Sequence, residues 1–329
     1  MRKQWTIPHA AAGINETARI KRRSKSGTLW TAVKKHRFYY YLILPGIVYF
    51  LVFHYLPMLG IVIAFKDISE FDVFHDMLYG EWVGLKHFSM FLESIYFWNV
   101  MSNTLLISIY KLLWGFPAPI VLALLVNEAR NRLFARVFQT IAYMPHFLSW
   151  VVIAGLMMNF FSTQIGFVNG IVRLFGGEPV FFLGSADYFR SLLVGSHVWH
   201  TVGWNTILYL AAMTGIDPQL YEAARMDGAD KWRQTIHVTL PGIMHVIVIL
   251  LIFNIGNLLN AGFEQTLLLY SPAVYQVSDI VDTYVYREGI TSLHYSYTAA
   301  VGLFKNAVAL ILVLTANYAA KRLNQESLF

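Results

Sequence analysis

Asp217-Pro218-Gln219-Leu220-Tyr221-Glu222-Ala223-Ala224-Arg225-Met226-Asp227-Gly228-Ala229-Asp230-Lys231-Trp232-Arg233-Gln234-Thr235-Ile236-His237-Val238-Thr239-Leu240-Pro241-Gly242 is a polar stretch between two long apolar blocks, at about 190–214 and 240–262. Asp217 followed by Pro218 reads as a helix start, an N-cap with proline at the first helical position. Residues 218–227 then suit a helix, with Leu220, Ala223, Ala224 and Asp227 recurring every three to four residues. Gly228 can take a positive φ that other residues resist, so it can end this helix and turn the chain into a second one. The expectation is a bent helix pair.

Outward from this stretch the chain is dominated by apolar blocks, at about 39–65, 102–126, 137–161, 190–214, 240–262 and 297–320. Several reach the roughly 20 residues that cross a bilayer core as a helix. Hydrophobic residues make up 57% of the chain and charged residues 13%, about half the charge of a soluble domain. So little charge cannot cover a water-facing surface, which overrules the two soluble domains that 329 residues would otherwise suggest. The reading is an all-α membrane protein with six transmembrane helices. The first block is too long for the core of a secretory signal; it reads as an uncleaved anchor, interrupted by Pro45 and ended near Pro57. The absence of cysteine removes disulfides, thiolate metal sites and cysteine nucleophiles.

The net charge of +6 describes orientation rather than a nucleic-acid partner. Of the 25 lysines and arginines, ten precede or include Arg37, three lie in 127–136, three in 215–239, and Lys321 and Arg322 follow the last block. With six crossings all of these fall on one side, which the positive-inside rule places in the cytoplasm, with both termini. Only five lie in the opposite loops, at about 66–101, 162–189 and 263–296. Turn chemistry such as Gly176-Gly177-Glu178-Pro179 and Ser271-Pro272 predicts ordered structure there. Trp98, Trp150, Trp199, Tyr297 and Tyr318 sit near block ends, where amphipathic rings favour the headgroup region.

The stretch from Asp217 to Gly242 resembles the EAA motif of the membrane subunits of binding-protein-dependent ATP-binding-cassette (ABC) importers. Glu222-Ala223-Ala224, Gly228, Val238 and Leu240-Pro241 meet its spacing, with valine where isoleucine is commoner. The resemblance implies a type I ABC importer permease fold over 38–322, with the coupling loop at 217–241 between a basic cytoplasmic tail, 1–37, and a short cytoplasmic tail, 323–329. It implies that the helix before Gly228 seats in a groove of an ATPase subunit. Ala223 and Ala224 would allow close approach, Glu222, Arg225 and Asp227 would form charged rim contacts, and Gly228, Ala229, Leu240 and Pro241 belong to the same implied coupling set. No Gly-Lys-Ser/Thr occurs in the chain, so a phosphate-cradling loop is missing and this chain binds no cofactor of its own. ATP and magnesium belong to two partner ATPases. A second homologous permease, an extracytoplasmic solute-binding protein, a saccharide and the bilayer complete the implied partners, in the cytoplasmic membrane of a bacterium.

Most of the chain is similar to carbohydrate-importer permeases related to the maltose importer, although the loop after the first block is too short for that system's large periplasmic domain. Met144-Pro145-His146-Phe147 and Gly262-Phe263-Glu264-Gln265 through Tyr284-Val285 look closest to a subgroup serving complex oligosaccharides, among them pectin fragments and alginate. Acidic saccharides are therefore the leading substrates; a small sugar or another small solute is the alternative. A membrane enzyme would need a convergent catalytic constellation that the blocks lack, and an ion-driven transporter commonly shows inverted repeats.

Polar residues inside the blocks are the candidate substrate path. Asn254, Asn257 and Asn260 recur every three residues, and amides suit sugar hydroxyls; helix-to-helix hydrogen bonding is the competing role. His197, His200 and Trp204, with Asn205 beside them, offer a ring to stack on a sugar and imidazoles to bond it, or else pack structurally. No carboxylate lies near enough in sequence to make the two histidines a metal site. Lys111 and Lys305 are embedded in apolar sequence, where an ammonium needs water or a partner. Lys305 lies too deep for easy snorkelling and is the stronger candidate to face an anionic saccharide.

Overall fold

A computed structural model describes residues 36–68 and 72–322, apart from the side chain of Ala320. The basic tail expected before Arg37 and the tail 323–329 lie essentially outside the described residues. The chain divides into two compact units, Met1–Leu59 and Gly60–Phe329.

In the first unit the described residues form one apolar helix, α1 (Arg37–Phe50), a π turn at Leu51–Tyr55 and a short helix at Leu56–Met58. Pro45 lies inside α1 without ending it, so the expected interruption does not occur there. The irregularity is instead the π turn ahead of Pro57. A proline has no N–H for the α-helical ladder and its ring crowds the carbonyl four residues back, so the backbone ahead of it widens.

The second unit is also helical. Its principal elements are α2 (Phe97–Gly115), α3 (Pro117–Asn127), α4 (Arg132–Tyr143), α5 (Trp150–Phe160), α6 (Ala186–Thr214), α7 (Pro218–Met226), α8 (Met244–Gly256) and α9 (Tyr295–Arg322). Short helices occupy the segments between, including Val73–Tyr79, Lys86–Glu93, Phe167–Leu174, Phe263–Leu269 and Val281–Tyr286. The order expected of the connecting loops is thus helical order.

The expected count of six spans is not reached on apolarity alone. Three described helical runs are long and apolar enough to cross a membrane, Arg37–Phe65, Phe97–Asn127 and Tyr295–Ala319, and two bent pairs raise the number to five. The block at 137–161 is not one straight span: Arg132–Phe147 and Trp150–Phe160 meet at 101°. The block at 240–262 is also broken, Lys231–Gly242 and Met244–Gly256 meeting at 61°. The remaining block is α6, whose 29 residues would extend about 43 Å at 1.5 Å per residue. Ser191, Ser196, His197, His200, Thr201, Asn205 and Thr206 make it too polar for a helix surrounded by lipid.

One side of α6 packs on protein instead, while Trp199, Trp204 and Leu208 stay exposed. Its Phe189 and Leu193 enter one apolar core with Ile107 of α2, Ile153 and Met157 of α5, and Leu269 and Ile280. Its Tyr209 and Met213 enter another with Ala123 of α3 and Ile243. At Gly203 a β-carbon would stand 2.0 Å from the Ala142 carbonyl oxygen, so α6 and α4 touch there backbone to backbone. The segment after Leu269 is pinned by polar bonds: Asp279 accepts from Thr283 at 2.8 Å and from both terminal nitrogens of Arg287 at 3.1 and 2.6 Å. Those bonds hold the Arg287 guanidinium above its ordinary pKa, against the opposing pull of burial.

Candidate functional site

The loop after α6 is built as its residues require. The Asp217 carboxylate accepts from the Gln219 N–H at 2.9 Å, capping α7 ahead of Pro218. At the other end Gly228 has φ +77°. Its N–H donates to Arg225 O at 3.0 Å and that of Ala229 to Ala224 O at 2.9 Å, the paired bonds of a Schellman ending. Asp230 then caps the helix Lys231–Gln234 by accepting from the Arg233 N–H at 2.8 Å. The buried Gln234 amide donates to Ala229 O at 2.8 Å, and the hydroxyls of Tyr221 and Thr239 lie 3.0 Å apart. Two helices are thereby tied into one bent piece, and a π turn, Thr235–Thr239, precedes Leu240-Pro241.

Glu222, Ala223, Arg225, Asp227 and Gly228 are exposed on this piece, while Ala224, Ala229 and Leu240 are half-buried and Pro241 is exposed. Two residues the sequence reading passed over belong with them: Met226 is 89% exposed and Trp232 71%. Large apolar side chains thus stand free there beside small residues and charges. Lys231 also reaches Glu128, at the end of α3, with a 2.8 Å ion pair.

The second place is a cavity of about 150 Å³. α2 supplies Ser108 and Lys111, α6 supplies His197, Thr201 and Asn205, and Asn254, Asn257, Asn260 and Gly262 complete the polar wall. The three asparagines do meet here, but not as one helix face. α8 ends at Gly256, and Asn257 and Asn260 lie on the tight turns that follow. The amides of Asn254 and Asn257 donate to the carbonyls of Leu250 and Phe253 at 2.8 and 3.1 Å, a competition with the backbone that suits a helix end.

Lys111 is buried on this wall, its ammonium donating to Ala261 O at 2.6 Å and to Gln265 Oε1 at 2.5 Å. Gln265 in turn donates to Leu193 O and Ser196 Oγ, both at 2.8 Å. Gly262 has φ +91°, a conformation natural to glycine.

Residues 115–325 match the family of binding-protein-dependent transport system inner membrane components. The chain belongs to this family. Among proteins similar to this permease, Protein LplB of Bacillus subtilis is 45% identical, covering 92% of this chain and 95% of its own. The polygalacturonan/rhamnogalacturonan transport system permease protein YteP of Bacillus subtilis is likewise 45% identical, covering 94% of this chain and 96% of its own. A bacterial alginate ABC transporter, solved in complex with its alginate pentasaccharide-bound periplasmic protein, contains a chain 38% identical, with a TM-score of 0.83 over 91% of this chain and 99% of that one. The permease therefore has the fold of an ABC importer's membrane subunit, and its family is one of transport components rather than enzymes.

Within the permease the fourth-block candidates separate. His197 faces the cavity, as does Asn205. His200 and Trp204 support the break between α4 and α5: the His200 ring bonds Leu148 O at 3.2 Å and lies 4.6 Å from the Trp150 ring, while Trp204 stacks on His146 at 4.6 Å. Lys305 is paired with Asp282 at 2.5 Å, on a neighbouring cavity of about 520 Å³ that shares Asn260 and Gly262 with the first. Ser108 and Gln265 were missed, although the three-residue step from Ser108 to Lys111 on one helix was visible.

Proposed function

We propose that this permease is one of two membrane subunits of an ATP-driven importer that carries oligosaccharides across the cytoplasmic membrane of a bacterium. Residues 38–322 make six crossings, α6 being the polar one, with both ends of the domain in the cytoplasm. The loop at 217–241 docks on one of two ATPase subunits, which hold ATP and magnesium, and an extracytoplasmic binding protein delivers the saccharide. Small residues and free apolar side chains between Leu220 and Trp232 seat in the ATPase, with Glu222, Arg225 and Asp227 at the rim. Asn254, Asn257, Asn260, His197 and Asn205 line this subunit's half of the path, which the second permease closes; Lys305, neutralised by Asp282, borders it.

The observation that carries this reading is the capped and cross-tied loop from Asp217 to Gly242, joined to a chain similar from end to end to a polygalacturonan/rhamnogalacturonan permease. The test is ATP hydrolysis by the reconstituted permease pair with its ATPases and binding protein across neutral and acidic oligosaccharides. One saccharide class should stimulate the wild type. In Gly228→Pro the stimulation should vanish, because proline cannot adopt φ +77°. An assembled complex that no saccharide stimulates would overturn the substrate assignment.

A further inference from the structure

We infer that Lys111 is the contact for the carboxylate of an acidic saccharide residue; this rests on the oligosaccharide reading above and names the chemical class it selects. The two intramembrane lysines are treated differently. Lys305 has a built-in counter-ion, Asp282, at 2.5 Å. Lys111 has only neutral acceptors, Ala261 O and Gln265 Oε1. Among the described residues no aspartate or glutamate lines its cavity. A buried ammonium bonded to dipoles alone is poorly compensated for the water it has lost. An ammonium has three N–H groups, and two are committed to protein.

The surroundings fit a sugar acid. Ser108, one helical turn before Lys111, is 5% exposed and its Oγ has no hydrogen-bond partner. A buried hydroxyl without a partner is free to bond a ligand. Across the cavity stand the amides of Asn254, Asn257 and Asn260, neutral groups suited to hydroxyls rather than to charge. The volume of about 150 Å³ lies below the roughly 300 Å³ at which whole small-molecule pockets begin. It takes the carboxylate edge of one sugar ring while the rest of the chain extends along the path.

The seat is also fixed. Gln265 is held by Leu193 and Ser196, and a β-carbon at 262 would stand 2.6 Å from the ammonium. The charge is therefore presented at one point rather than on a mobile side chain, as selection of charge requires.

The experiment compares uptake of oligogalacturonate and of its methyl ester by the full complex in proteoliposomes. Binding-protein affinities for both are measured separately. The two sugars differ in charge and in one added methyl group per residue. Lys111→Gln should lower the ratio of acid to ester uptake at least tenfold, and Lys111→Arg should keep the ratio within about threefold of wild type. If Lys111→Gln does not assemble, Asn254→Asp provides the second test, since a carboxylate in the same cavity competes for the ammonium and should lower the ratio at least fivefold. A ratio unchanged in the assembled variant, both sugars falling alike as a purely structural lysine would give, or a wild type that takes up the ester as readily as the acid would each overturn the inference. A wild type that imports no saccharide at all would instead overturn the reading on which it rests.

Discussion

The ammonium of Lys111 lies 2.6 Å from the point where a β-carbon of residue 262 would stand, so the lysine has its seat only because that residue is glycine. Gly262→Ala should meet two penalties, the strain of φ +91° and displacement of the ammonium. The backbone part alone costs about 1–3 kcal/mol. Thermal denaturation of the solubilised complex should show the loss, and Lys111→Ala in the same chain should return part of it. Additivity of the two substitutions would show that they do not interact.

Gly203 makes a sharper steric prediction. Its missing β-carbon would stand 2.0 Å from the Ala142 carbonyl oxygen, whereas Gly195 on the same helix has nothing within 4 Å. Gly203→Ala should force α6 from α4 at a cost of about 1–3 kcal/mol or more. Gly195→Ala should be neutral or stabilising by up to about 1 kcal/mol, the helix-propensity gain. Equal melting temperatures for the two variants would refute the close backbone approach.

These contacts show what the sequence made legible. Apolar blocks and the loop from Asp217 to Gly242 could be read because hydropathy, caps and Gly228 act over a few residues. The break near Phe147 could not: the block from 137 to 161 is apolar on average, its Pro145, His146 and Ser149 fix no angle by themselves, and the turn is held by Ser149 capping α5 and by His200 and Trp204, some fifty residues away. The three-residue rhythm of the asparagines looked helical because a tight-turned helix end can preserve that spacing. The sequence could not decide which intramembrane lysine is neutralised, since folding alone brings Asp282 to Lys305.

The Asp279–Arg287 pair should respond strongly to mutation and weakly to pH. The Asp279 side chain is 4% exposed and that of Arg287 26%. Removing one partner leaves the other charge uncompensated, which for a buried pair costs about 3–5 kcal/mol. Asp279→Asn should therefore destabilise more than Asp279→Asn combined with Arg287→Met. Because the Arg287 pKa is raised above its ordinary, already strongly basic value by the bonds to Asp279, its stabilisation is complete below that ordinary value and is lost only as pH rises through the still higher folded value. The stability difference between wild type and Arg287→Met should stay flat from about pH 7 to pH 9, which melting curves across that range would check.

Tyr221→Phe removes the 3.0 Å contact with Thr239 while leaving both helices capped. The stability cost should be small, about 0.5–1.5 kcal/mol. The larger effect should fall on coupling: ATP hydrolysed per saccharide imported should rise, as measured by parallel hydrolysis and uptake assays. An unchanged ratio would mean that the two helices need no cross-tie.

The π turn at Thr235–Thr239 ends on Thr239, the far partner of this cross-tie, and leads into Leu240-Pro241. Such a turn stores one residue of slack. Converting it to an α turn would rotate the chain beyond it by about 100° and shift it by about 1.5 Å. A push too small to reposition a whole helix could thus be geared into a swing of α8, which leaves the Lys231–Gly242 run at 61°, carrying Asn254 and its neighbours with it.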